Sequence, residues 1–304
     1  MSGTATEARH GQAVGLDTRS PRDILSLLAS GQQAAAAAVD AAIPSIDTAA
    51  ESVANALRSG GRLVYAGAGS SGLMAMADAL ELPGTYGIDN DRIVVLLAGG
   101  VASLSDLAGS PEDDVAQARV DASIIGPADC VVCVSASGST PYALAVAETA
   151  KRRGAQVVAI ANNPGAALFA HADVAILLET PPEVIAGSTR MGAGTAQKIA
   201  FNMLSTLAAV RLGHVHDGHM VNLCPDNIKL RVRAARMVAD IAGVAEDEAA
   251  RLLDGAGGSV KVAVLLAAGM RDADVARQAL ARNQEVLRSA LAEFQTTTGF
   301  HKRA

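Results

Sequence analysis

Up to about residue 60 the chain reads as helix. Ser20 followed by Pro21 is a helix-start pair, residues 22–28 are helical in character, and residues 32–42 are alanine-rich. Residues 46–58 repeat apolar side chains at helical spacing until Gly60 and Gly61 stop the pattern. Short apolar runs with β-branched residues then predict strands at 62–66, 92–98, 130–134, 156–161 and 173–178. Helical stretches at 71–82, 112–122 and 142–153 lie between them. Such alternation predicts an α/β fold, a doubly wound parallel five-stranded sheet whose ligand sits outside the carboxyl ends of the strands. Further on, a long amphipathic helix is expected over 191–212, another over 227–240, and shorter ones over 246–253, 260–268 and 272–291. The expected division is an N-terminal helical arm (1–60), a sheet domain (61–240) and a small C-terminal helical domain (241–304), with about the last eight residues loose.

Composition narrows the function. Half of the 304 residues are hydrophobic, but aromatics are 2 % and Trp is absent, so the core must be Ala, Val, Leu and Ile. Few rings are available for base stacking, and a net charge of −6 argues against a nucleic-acid partner. The first ten residues carry no apolar signal-peptide core, and no run of about 18 apolar residues suggests a membrane span. Cys130, Cys133 and Cys224 are too few for a disulfide framework. The expectation is a cytoplasmic protein. Cys130 and Cys133 stand three apart in a strand and point to opposite faces, which argues against zinc or redox use. His214, His216 and His219 could hold a metal, but solvated or substrate-contacting histidines are the favoured reading, so no metal site is expected.

The predicted strand ends are small, polar or glycine-rich. Gly67-Ala-Gly-Ser-Ser-Gly72 satisfies the G-x-G-x-x-G spacing, yet the next strand ends Leu97-Ala-Gly-Gly100, without the carboxylate a dinucleotide ribose would want. A sugar phosphate fits better. Ser70 and Ser71 stand at a helix N-terminus, where free amides and the helix dipole favour an anion. Ser135, Ser137, Ser139 and Thr140 repeat the device ahead of Pro141. The alternative is that these hydroxyls merely cap helices. By spacing alone, Glu81 and Glu112 are helix-terminal charges, with Glu81 the odder because it stands near a helix C-terminus.

The stretch from Pro182 to Lys198, reading PEVIAGSTRMGAGTAQK, and Phe201-Asn-Met-Leu-Ser-Thr206 resemble the signature of the N-acetylmuramic acid 6-phosphate etherases. These are sugar-isomerase-domain (SIS) proteins related to the glucokinase regulatory proteins. Thr6-Glu-Ala-Arg9, Gly60-Gly-Arg-Leu-Val-Tyr65, Thr85-Tyr-Gly87 and Glu112-Asp113 extend the resemblance over roughly the first 235 residues. It implies a lyase without a cofactor that removes D-lactate from the C3 ether of an amino-sugar 6-phosphate, leaving N-acetylglucosamine 6-phosphate. It further implies that Glu81 is the acid at the ether oxygen, that Glu112 is the base at C2, and that Glu183, Ser188, Thr189, Arg190 and Lys198 contact substrate. A homodimer with a shared active site is expected, partly on the same ground.

This chain departs from the family pattern at Leu73 and Ser139, where an Arg is usual, and at Gly192, where a Lys is usual. Asn222 and Cys224 replace acidic residues, whereas Lys229 is kept. Fewer cations weaken recognition of a carboxylate. The alternatives are therefore an SIS-type isomerase or related lyase acting on a different sugar phosphate, or a non-catalytic sugar-phosphate sensor. The regulatory proteins carry two SIS domains, and this chain has room for one.

Overall fold

Strands β1 (Leu63–Gly67) and β3 (Cys130–Ser135) are buried at every position, as parallel strands covered by helices on both faces must be. A computed structural model describes residues 5–101 and 110–298. With β2 (Ile93–Leu97), β4 (Gln156–Ala161) and β5 (Val174–Leu177), these strands form a parallel sheet in the order β2-β1-β3-β4-β5. The α/β, doubly wound five-stranded sheet expected from the sequence is the observed one. Of the expected loose end, Thr297 and Thr298 still belong to a helix, and residues 299–304 lie outside the described residues.

The described residues group into two units. One takes those up to Leu80 with those of Asp91–Leu207, and the other takes Glu81–Asn90 with those from Ala208 on. In the first, helices α1 (Pro21–Ala37) and α2 (Ile43–Arg58) precede the sheet, and α4 (Val115–Asp121) and α5 (Pro141–Arg152) lie between strands. Helix α1 runs unbroken through Gly31, where an added Cβ would lie 3.1 Å from the Val184 side chain. Val64, Val131, Val157, Tyr142, Val146 and Leu168 belong to one core, built mostly of aliphatic side chains because the sequence offers few larger ones. Asp78, on α3 (Gly69–Tyr86), is buried but satisfied. It accepts from Tyr65 Oη at 2.7 Å, Asn202 Nδ2 at 2.8 Å and Ser205 Oγ at 3.1 Å, joining β1, α3 and α6 (Gly192–Arg211). Burial first, then the Asp78 charge, raises the Tyr65 phenol well above its ordinary value, so it stays a donor.

The second unit packs α7 (Ile228–Ala242), α8 (Glu246–Gly255), α9 (Val260–Ala267), α10 (Ala273–Arg282) and α11 (Leu287–Thr298) around Val238, Leu253, Val264, Leu265 and Leu280. Asn227, Ser259 and Asp272 cap α7, α9 and α10 through their side chains. Among the described residues no helix is long and apolar enough to cross a membrane.

A half-buried histidine and a buried lysine in this unit make its stability depend on pH. Burial first, then the Lys261 charge, lowers His214 to about 4. Its Nδ1 is buried with no hydrogen-bond partner. The folded state therefore refuses a proton that the unfolded chain accepts between pH 6.5 and 4, so stability is present above that window and lost as pH falls through it. The integrated loss is on the order of 3 kcal/mol. His214→Leu should flatten denaturant-unfolding stability between pH 7 and 5, and an unchanged slope would contradict this. Lys261, lowered to about 8 chiefly by burial, acts in a higher window, with stability rising as pH climbs from 8 towards 10.5.

Candidate functional site

The chain steps from β1 outward to β2 and then returns to place β3 on the other side of β1. That reversal between β1 and β3 is a topological switch point, where a ligand crevice opens at the carboxyl ends of the strands. The two hydroxyl-rich loops follow these two strands.

In the first loop, the glycines serve close packing. A Cβ on Gly67 would lie 3.1 Å from the Gly72 Cα, and one on Gly72 would lie 3.0 Å from the Gly67 carbonyl carbon and 2.5 Å from Leu97 Cδ1. Strand end and helix start can touch only because both lack side chains. Helix α3 opens at Gly69, so Ser70 and Ser71 occupy its first turn, half-buried, where helix amides lack intrahelical partners.

The second loop is a hydroxyl cluster. Ser135 Oγ lies 2.7 Å from Thr140 Oγ1 and 3.3 Å from Ser137 Oγ, and it accepts from the Gly138 amide at 3.1 Å. Ser139 donates to Ser137 Oγ from its amide at 3.2 Å and from its hydroxyl at 3.0 Å. Thr140 holds the N-cap position of α5 but makes no side-chain cap bond, so its hydroxyl turns to Ser135 instead. Simple capping does not describe this loop. Ser135 is buried, Ser137 and Thr140 are half-buried, and Ser139 is exposed.

Glu112 stands over the first loop. It lies in a 3-10 turn, Ser110–Asp113, ahead of α4, rather than opening a helix over 112–122, because Asp114 breaks off to cap α4 through Gln117 N. Its Oε1 is 2.6 Å from where a Cβ of Gly69 would be, and Gly69 has φ +50°. Any other residue there would be strained and would collide with the carboxylate. Burial first, then the Asp113 charge, raises the Glu112 pKa above its ordinary value.

Glu183 is buried, and its two oxygens accept from the amides of Gly192 and Ala193, each at 2.9 Å. It therefore closes the N-terminus of α6 as an acidic cap. Ser188 and Thr189 lie half-buried in the turn segment just ahead of that helix, whose amides bond back to Ile185 and Gly187. Arg190 and Lys198 are exposed and make no ion pair among the described residues. Glu81 is exposed on α3 and belongs to the second unit. Helix α3 passes Pro83 and ends at Tyr86, beyond the expected stop at 82, and the Pro83 carbonyl still accepts from the Gly87 amide.

The sequence profile of the SIS domain matches residues 28–162. An N-acetylmuramic acid 6-phosphate etherase of Symbiobacterium thermophilum is 45 % identical over 86 % of this chain and 87 % of its own. One from Deinococcus radiodurans is 44 % identical over 86 % of each chain. The chain belongs to the N-acetylmuramic acid 6-phosphate etherase family. Among solved structures, a putative phosphosugar isomerase from Bacteroides fragilis aligns over 65 % of this chain and 93 % of its own, at 23 % identity and a TM-score of 0.49.

The neutral positions Gly192, Ser139 and Leu73 have visible surroundings. Gly192 is closed in by Glu183, whose Oε2 would lie 3.0 Å from a Cβ there, and by Ala35 Cβ at 3.2 Å. A longer side chain at 192 would have to displace the cap. Ser139 is held by Ser137, and Leu73 is half-buried on α3. Asn222 donates to the Tyr86 carbonyl at 3.0 Å. Among the described residues no cluster of three or more His, Cys, Asp or Glu is arranged to hold a metal. His219 pairs with Asp240 at 2.8 Å. Asn163 was not foreseen as a site residue. It is buried beside the second loop and donates to the carbonyls of Ala136 and Ser137. Only its place after β4, in Asn162-Asn-Pro-Gly165, signalled it.

Proposed function

We propose that this chain is a carbon–oxygen lyase that cleaves the D-lactyl ether of N-acetylmuramic acid 6-phosphate, with water, to N-acetylglucosamine 6-phosphate and D-lactate. The observation that carries the reading is identity of 45 % to a protein of that name across most of both chains. The amides opening α3 and α5, with the hydroxyls of Ser70, Ser71, Ser135, Ser137, Ser139 and Thr140, supply neutral donors suited to a phosphate.

Ring opening exposes the C1 aldehyde, which acidifies the C2 proton. Glu112 removes that proton, and its raised pKa brings it closer to that of an effective base at neutral pH. Glu81 protonates the C3 ether oxygen, so D-lactate departs and a C2–C3 double bond conjugated to the aldehyde remains. Water then adds to C3, losing its proton to Glu81, while Glu112 returns a proton to C2. Both groups end as they began, and no redox step arises. Arg190 and Lys198 are assigned to the substrate's anionic groups, Ser188 and Thr189 to its hydroxyls, and Glu183 to holding their segment on α6. A cytoplasmic homodimer with shared sites completes the proposal.

A second reading has one observation in its favour. Helix α3 carries no Lys or Arg, α5 has none before its last turn, and the first on α6 is Lys198. A sugar phosphate with no second anion would suit that scarcity. Incubation with N-acetylmuramic acid 6-phosphate separates the two. Equimolar D-lactate and N-acetylglucosamine 6-phosphate support the first reading, whereas no lactate beside turnover of an uncharged C3 ether would favour the second.

A further inference from the structure

The geometry points to the N-terminal turn Ala5–Glu7 as part of the phosphate site, with Asn163 as the positioning residue that ties it to the second loop. This rests on the phosphate reading of that loop.

Thr6 and Asn163 are separated by 157 positions in sequence, yet each is only 3 % exposed. Asn163 Nδ2 donates to Thr6 Oγ1 at 3.1 Å, to the Ala136 carbonyl at 3.2 Å and to the Ser137 carbonyl at 3.2 Å. Its Oδ1 accepts from the Thr6 amide at 3.4 Å. One buried amide thus joins the start of the chain to the peptide units of Ala136 and Ser137. Ser137 is the hydroxyl on which Ser135 and Ser139 converge, so its backbone sets the direction of the cluster. The same turn also runs beside a second loop, because the exposed Glu7 would have its Oε2 3.4 Å from a Cβ on Gly187, which directly precedes Ser188 and Thr189. Thr6 and Glu7 therefore span two of the loops assigned to substrate. A buried amide that serves two carbonyls and a hydroxyl is costly to leave half-satisfied, which makes this tie rigid.

Inorganic phosphate as a competitive inhibitor of the full-length protein tests the inference, beside kcat, KM and melting temperature. Asn163→Ala should raise the phosphate inhibition constant and KM by more than about tenfold while kcat changes less. Because that variant removes several buried hydrogen bonds at once, Thr6→Val provides the second arm. It leaves the two carbonyl bonds of Asn163 in place, so it should weaken phosphate binding about threefold with a smaller fall in melting temperature than Asn163→Ala, and Thr6→Ser should restore both. Wild-type phosphate affinity in Thr6→Val overturns the inference. So does weakened binding that Thr6→Ser does not restore. A wild-type protein that turns over substrate but does not respond to phosphate or any sugar 6-phosphate product sinks the phosphate-loop reading itself.

Discussion

Glu112→Gln loses both lactate release and exchange of the C2 proton with solvent, each by about a thousandfold, which is the scale of a general base removed without disturbing its surroundings. Gln keeps the shape that fits against Gly69 and cannot take up a proton. The fold should not suffer, because burial disfavours the charge that is removed. The wild-type pH profile carries the same signature. With Glu112 as the proposed base, activity needs its ionised form, so the acid limb should lie above the ordinary carboxylate pKa, with rates falling as pH drops through it. Asp113→Asn removes the second cause of the shift and should move that limb modestly downward, with burial holding the remainder. Full exchange at C2 in Glu112→Gln would remove this residue from the role of base.

Glu81→Gln separates the two halves of the reaction. Lactate release should fall by about a thousandfold, because the C3 ether oxygen leaves poorly without a proton, whereas C2 exchange persists. Proton NMR in deuterated water reads both in one tube. The variants also test whether sites are shared between subunits. If the acid and base of one site come from different chains, a dimer of one Glu81→Gln and one Glu112→Gln chain holds one site with both carboxylates intact. Refolding an equal mixture should then restore roughly a quarter of wild-type activity. If both come from one chain, every mixed site lacks a group and activity stays absent. Release of lactate by Glu81→Gln at the wild-type rate would end its assignment as the acid.

Local patterning reached the sheet well. The run at 156–161 is β4 itself, and the other four strands fall within one residue of their apolar runs, because buried parallel strands must be continuously apolar. The misses occur where a distant contact decides. The helix expected over 272–291 is two, because Gln284 and Glu285 turn left-handed at φ +53° and +63°. The Glu285 carbonyl so placed accepts from the buried Lys261 Nζ at 2.9 Å, a partner that no hydrophobic period encodes. The helical stretches expected at 22–28 and 32–42 join into one helix through Gly31, which packs near Val184, and that helix stops at Ala37, short of 42. In the site, the hydroxyl loops were legible because they follow strands at the switch point. The cap made by Glu183 and the tie between Thr6 and Asn163 were not, since each joins residues whose pairing exists only in the fold.

Breaking the ether by elimination across C2 and C3 requires the C2 proton to leave and be replaced from solvent. Turnover of N-acetylmuramic acid 6-phosphate in deuterated water tests it most directly, with the product analysed at C2. The expected product is N-acetylglucosamine 6-phosphate carrying deuterium at C2, formed together with D-lactate. Lactate released with the original hydrogen still at C2 would contradict it.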